Sequence, residues 1–141
     1  MKTRVSFLKK VTWMATESLS LGRDYWVTAN ARFNPMVRAR KVKHLRSCGY
    51  WLGCQFRNKH GLKKVPRLRM DVTVTNPPRG GCRDVANYHP TVKAILDGIV
   101  DAGVLEDDDN RHLEGPFLRP GVGRSENRGV ASFEIALTPI D

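Results

Sequence analysis

Residues 68–109 read LRMDVTVTNPPRGGCRDVANYHPTVKAILDGIVDAGVLEDDD, and the succession of patterns in this stretch decides the fold. From Leu68 to Thr75 the side chains alternate. Leu68, Met70, Val72 and Val74 face one way and Arg69, Asp71, Thr73 and Thr75 the other, which is the period of a half-buried strand. Asn76-Pro77-Pro78-Arg79-Gly80-Gly81 must stop it, since prolines and glycines break the ladder. From about Pro90 to Ala102 the spacing turns helical, with Val92, Ile95, Leu96, Ile99 and Val100 as the apolar stripe. Pro90 suits the first turn and Gly103 the position just past the end. Lys93, Asp97 and Asp101 fall at i, i+4 and i+8 on one polar ridge. The acidic turn Glu106-Asp107-Asp108-Asp109 follows.

Working outward, Asn34 to Phe56 predicts another helix, with Ala39, Val42, Leu45, Gly49, Leu52 and Phe56 on a shared face. Asn34 and Pro35 suit its N-cap and first position. Gly49 and Gly53 either weaken it, by about 1 kcal/mol each relative to Ala, or permit close packing, or end it early. Asn58 to Pro66 reads as a basic loop. One of Val5–Phe7, Val11–Trp13 or the Glu17–Leu21 region supplies a first strand, and Thr28-Ala29-Asn30 reads as a turn. His112 to Leu118 and Val130 to Thr138 predict two further strands, joined by a loop over Pro120 to Gly129. No repeat or interdomain linker divides the 141 residues, so residues 1–141 are expected to form one domain.

Charge is distributed unevenly along this order. Residues 1–83 hold 19 Lys+Arg against 3 Asp+Glu, while residues 84–114 hold 2 against 8. The overall charge is +10. A chain this basic attracts a polyanion, most often nucleic acid. Carboxylates repel the phosphates that the other half attracts, and a bound divalent cation would resolve that conflict. Other readings of the acidic turn remain open: a solvated surface turn, or acids paired with the many arginines. Uncompensated like charges about 4 Å apart cost on the order of 4 kcal/mol at an effective dielectric of 20, so a cluster needs some cation, and arginine serves as well as Mg²⁺. A helix of 13 residues is about 20 Å long, so Asp84 and Asp107 meet only if the flanking loops bring them together.

No stretch is apolar enough to span a membrane, and MKTRVSFLKK at the start lacks the apolar run of a secretory signal. Cys48, Cys54 and Cys82 form no CxxC pair, which points to free thiols in a reducing cytoplasm; with His44 and His60 their spacing fits no common zinc site. Trp13, Trp26 and Trp51 read as core or interface residues before base-stacking platforms.

The combined pattern closely resembles the RusA family of Holliday-junction resolvases, particularly the bacteriophage forms. It consists of a strand, a Pro/Gly/Arg-rich turn, then Asp84…Asn87…Lys93…Asp97…Ala102-Gly103-Val104…Asp107-Asp108. Thr28-Ala29-Asn30 with Arg32 and the basic helix resembles the family's N-terminal half. The likeness is dense from Arg83 to Asp109 and looser over roughly 25–75 and 110–138. It implies an α/β (α+β) fold, a small mixed β-sheet of about four strands packed with two main helices, in a homodimer. It further implies a Mg²⁺-dependent endonuclease, with Mn²⁺ able to substitute, that cuts paired strands of four-way DNA junctions. Asp84, Asp107 and Asp108 would then be metal ligands and Lys93 the catalytic lysine, with Asn87, Asp97 and Asp109 in support. Asn30, Arg32, Arg38, Lys41, Arg46, Arg69, Arg79 and Arg83 would grip the DNA arms. The implied setting is the cytoplasm or nucleoid of a bacterial host, with a phage or prophage gene. The second Asp of the family's turn is Ala86 here, and three extra residues separate the turn from Lys93. A non-catalytic junction-binding protein, or a metal nuclease acting on RNA or other branched substrates, are the competing expectations.

Overall fold

A computed structural model describes residues 14–140. The elements in order are β1 (Ala15–Gly22), a 3₁₀ turn (Arg23–Tyr25), α1 (Pro35–His60), β2 (Leu68–Thr75), a second 3₁₀ turn (Val85–Tyr88), α2 (His89–Asp101), β3 (Leu113–Pro120) and β4 (Val130–Pro139). The strands form one mixed sheet in the order β1-β4-β2-β3. β4 is antiparallel to both β1 and β2, and β3 is parallel to β2. The expected α+β architecture of four strands and two helices is therefore present.

β2 occupies its predicted span, and its even residues Leu68, Met70, Val72 and Val74 are all buried. Opposite them β4 buries Ala131, Phe133, Ile135 and Leu137 on the same face, and Ala136 as well. This shared face packs against both helices to make one core, in which Phe56, Tyr88, Phe133 and Ile95 are fully enclosed. Burying one such side chain contributes about 1.5–3 kcal/mol. The first strand is β1, at the Glu17–Leu21 region; the Val5–Phe7 and Val11–Trp13 candidates lie outside the described residues.

α1 begins as the sequence requires. The Asn34 side chain accepts from the Met36 N–H at 2.8 Å and Pro35 opens the first turn. It runs longer than predicted, through His60, so only the latter part of the Asn58–Pro66 segment is loop. Gly61, at φ +69°, ends it in the left-handed conformation. The buried stripe is Leu45, Gly49, Leu52, Gly53 and Phe56, while Ala39 is exposed. Gly49 and Gly98 of α2 settle what the helix glycines do. A Cβ on Gly49 would strike the Ile95 carbonyl, and one on Gly98 would strike that of Arg46. The helices cross backbone to backbone at these points, so the propensity cost of glycine is exchanged for close approach.

Candidate active site

α2 is fixed at its start by Thr91, a polar side chain with 0% exposure. Its hydroxyl donates to the Val27 carbonyl at 2.8 Å and accepts from the Val27 N–H at 2.9 Å. The turn that follows Val27 is tied down as well, since the Ala29 N–H donates to the Asn87 carbonyl at 2.9 Å. Asn30 thus sits on a turn anchored beside the Val85–Tyr88 turn. Nothing in the sequence singles out Thr91. A threonine on the polar margin of an apolar helix is indistinguishable there from a surface residue.

Lys93 lies further along α2. Its ammonium donates to Asp97 Oδ1 at 3.0 Å and to Asp108 Oδ2. Asp97 is the partner expected at i+4 on the same ridge. Asp108 arrives because the chain folds back after α2, where Gly103 takes φ +86° and Val65 bridges to Leu105. Burial by itself would lower the pKa of Lys93, but Asp108 and Asp97 outweigh it and hold the ammonium above its usual value. The hydrogen bond from Lys93 in turn holds the Asp108 carboxyl below the usual carboxylate range. Asp107 adjoins this pair, and its Oδ1 accepts from the Asp108 N–H at 2.7 Å.

The remaining predicted residues distribute as follows. Asp84 caps the second 3₁₀ turn, accepting from the Ala86 N–H at 3.0 Å, and makes no hydrogen bond to Asp107 or Asp108 among the described residues. Asp109 accepts from Arg111 at 3.1 Å and from His112 at 2.7 Å, which clamps the acidic turn onto the start of β3. Arg46 forms a two-pronged pair with Asp101, at 2.5 and 2.8 Å, that latches α1 to α2. Arg69 is engaged by Asp71 at 3.0 Å and lies over the Phe117 ring, 4.6 Å from its centroid. Lys41 donates to the Asp24 carbonyl and stands 4.9 Å from the centroid of Phe33. Arg32, Arg38, Arg79 and Arg83 are at the surface. Trp26 is buried, donating through Nε1 to the Leu21 carbonyl at 2.9 Å, whereas Trp51 is 68% exposed. Trp13 lies outside the described residues. The three thiols are free.

Among the described residues no three His, Cys, Asp or Glu side chains converge into a metal-holding group. The donors present are nevertheless of the right chemistry. Asp84, Asp107 and Asp108 offer hard carboxylate oxygens, and Mg²⁺ is commonly held by one or two carboxylates, with waters and substrate phosphate completing its shell. No helix among the described residues is long and apolar enough to cross a membrane. No protein-family model and no curated protein sequence matches the chain.

Proposed function

We propose that this protein is a Mg²⁺-dependent endonuclease that resolves four-way DNA junctions by paired phosphodiester cleavage. The observation that carries the reading is the Lys93–Asp108 contact, which joins residues on a helix and on the loop beyond it within a strongly basic molecule. Such an ammonium–carboxylate pair has the two functions phosphodiester hydrolysis needs side by side. Lys93 would stabilise charge developing on the phosphate oxygens or leaving group. Asp108, Asp107 and Asp84 would hold the metal, with Mn²⁺ able to replace Mg²⁺. When bound, the ion supplies Lewis-acid polarisation of the scissile phosphate and lowers the pKa of the attacking water.

Asp97 would keep Lys93 oriented when a substrate phosphate competes with Asp108 for its ammonium, and Asn87, through its carbonyl bond to Ala29, keeps the Asn30 turn beside the Asp84 turn. Arg32, Arg38, Arg79 and Arg83 provide backbone contacts that position the DNA arms without reading sequence. A two-fold dimer would offer two sites for symmetric cuts. The exposed Tyr50 and Trp51 on α1 support such an association.

A non-catalytic junction-binding protein is the second reading. It is favoured by Ala86 in the turn and by an Asp84 carboxylate engaged in capping. Incubating a synthetic four-way junction and the corresponding linear duplex, with and without Mg²⁺, separates the two. Paired, metal-dependent nicks confined to the junction are expected. Tight junction binding without cutting in Mg²⁺ or Mn²⁺ would establish the second reading instead.

A further inference from the structure

Three arginines from distant parts of the chain surround one cavity at the end of the sheet. Arg23 follows β1, Arg79 follows β2 and Arg128 precedes β4. The cavity they line with Gly129 is about 350 Å³. Its position follows from register. Gly22 pairs with Val130 and Thr75 with Ser132, so the three segments leave the sheet at the same end. The arrangement is also held by backbone bonds. The Arg23 N–H donates to the Gly129 carbonyl at 2.8 Å, and the Ser125 N–H donates to the Asn76 carbonyl at 2.8 Å. The 76–82 turn is closed by Asn76 Nδ2 donating to the Cys82 carbonyl at 2.8 Å, with the Tyr88 hydroxyl donating to Asn76 Oδ1 at 2.7 Å.

Arg23 itself is preset. Its guanidinium stands 5.8 Å from the centroid of the buried Trp26 ring and donates to the Arg79 carbonyl at 3.4 Å. It also lies on Gly80, where a Cβ would collide with Nη2. None of the three arginines forms an ion pair among the described residues. Long flexible side chains of like charge on a surface ordinarily spread apart. Here the backbone brings their attachment points together with no acid lining the cavity, and an anion is what relieves the repulsion. Arginine favours phosphate, whose oxygens match its forked donors. A second cavity, of about 230 Å³, is lined by Arg83 and Arg124 together with residues of the 76–82 turn.

We propose that Arg23, Arg79 and Arg128 form a phosphate-binding site that seats a backbone phosphodiester of nucleic acid. Only the source of the phosphate rests on the nuclease reading; the anion site stands on its own geometry. The test follows the arginine Nε–Hε NMR signals of the full chain, without divalent metal, during titration with inorganic phosphate. A short single-stranded oligonucleotide is then added as competitor. Signals of Arg23, Arg79 and Arg128 should shift together to one saturating value and move again when the oligonucleotide displaces phosphate. Arg128→Gln, a change in an exposed loop, should weaken phosphate binding at the other two about tenfold, the effect expected for loss of one charge-assisted hydrogen bond. Shifts that never saturate, or that are equal at all exposed arginines, would overturn the site. Saturable phosphate binding that the oligonucleotide does not displace would overturn its assignment to a nucleic-acid backbone. Absence of cleavage in Mg²⁺ would strike the nuclease reading while leaving these outcomes as they stand.

Discussion

The two charged clusters of this molecule are built on opposite principles. Lys93, half-buried at the surface, is neutralised by Asp97 and Asp108 on either side of it. Arg23, Arg79 and Arg128 have no acidic partner among the described residues and surround a cavity. A neutralised cation adds little to long-range attraction, because its field is cancelled within a few ångströms. What it offers is a fixed position for a charge that chemistry can use. An unneutralised cluster is poor at holding geometry through charge alone, but it attracts a polyanion from a distance. The first arrangement suits reaction and the second suits capture.

Salt should expose this division most strongly. If roughly 6–10 phosphates are contacted, junction affinity should fall by about 10³–10⁵ between 50 and 200 mM salt. Lys93→Ala should leave that slope unchanged, whereas each arginine removed from the cavity should reduce it by about 1. A slope indifferent to Arg23 and Arg128, or no salt response at all, would erase the distinction. Single-turnover cleavage should show the next largest effect, in the opposite direction. Lys93→Ala or Asp108→Asn should lower the rate at saturating DNA by about 10²–10³, the size typical for losing one group that stabilises developing charge, with junction affinity nearly preserved. Retained cleavage in Asp108→Asn would remove that residue from the site.

The same contrast, between contacts made locally and contacts made by the fold, separates what the amino-acid sequence reveals from what it hides. β2 is legible to the residue because its alternation is uninterrupted, and α2 because its stripe is continuous and its ends carry Pro90 and Gly103. The end of α1 is not. Asn58, Lys59 and His60 are polar on every side, and only the backbone at Gly61 stops the helix. Gly49 is ambiguous because glycine both weakens a helix and permits approach; its partner Gly98, far along the chain, decides between them. The Lys93–Asp97 contact is local and follows from helical spacing, but the return of Asp108 depends on a loop. The arginine cavity is invisible in the sequence, since residues 23, 79 and 128 meet only through the register of β1, β2 and β4. Arg46 and Arg69, which the resemblance implies as grips on the DNA arms, are paired with Asp101 and Asp71.

The smallest effect concerns the turn that carries Asp108. His112 donates to Asp109 and, with further hydrogen bonds from Arg111, holds the Asp109 carboxyl down to about 2. A carboxyl depressed by folding stabilises the native turn at every pH above its ordinary value of 3.8 and loses that contribution as pH falls through the folded value near 2. The loss should therefore be confined to a narrow acidic window. Arginine stays charged throughout it, so the cavity cluster has nothing to titrate there. His112→Ala should move the Asp109 titration up towards 3.8, as followed by the side-chain carboxyl carbon in NMR. Asp108 should keep its depressed value, because its largest support is the hydrogen bond from Lys93 on a different element. An unchanged Asp109 would show that Arg111 alone suffices to hold the turn. If both carboxyls rose together, His112 would be fixing the whole acidic turn against α2, and the preset position of Asp108 beside Lys93 would depend on it.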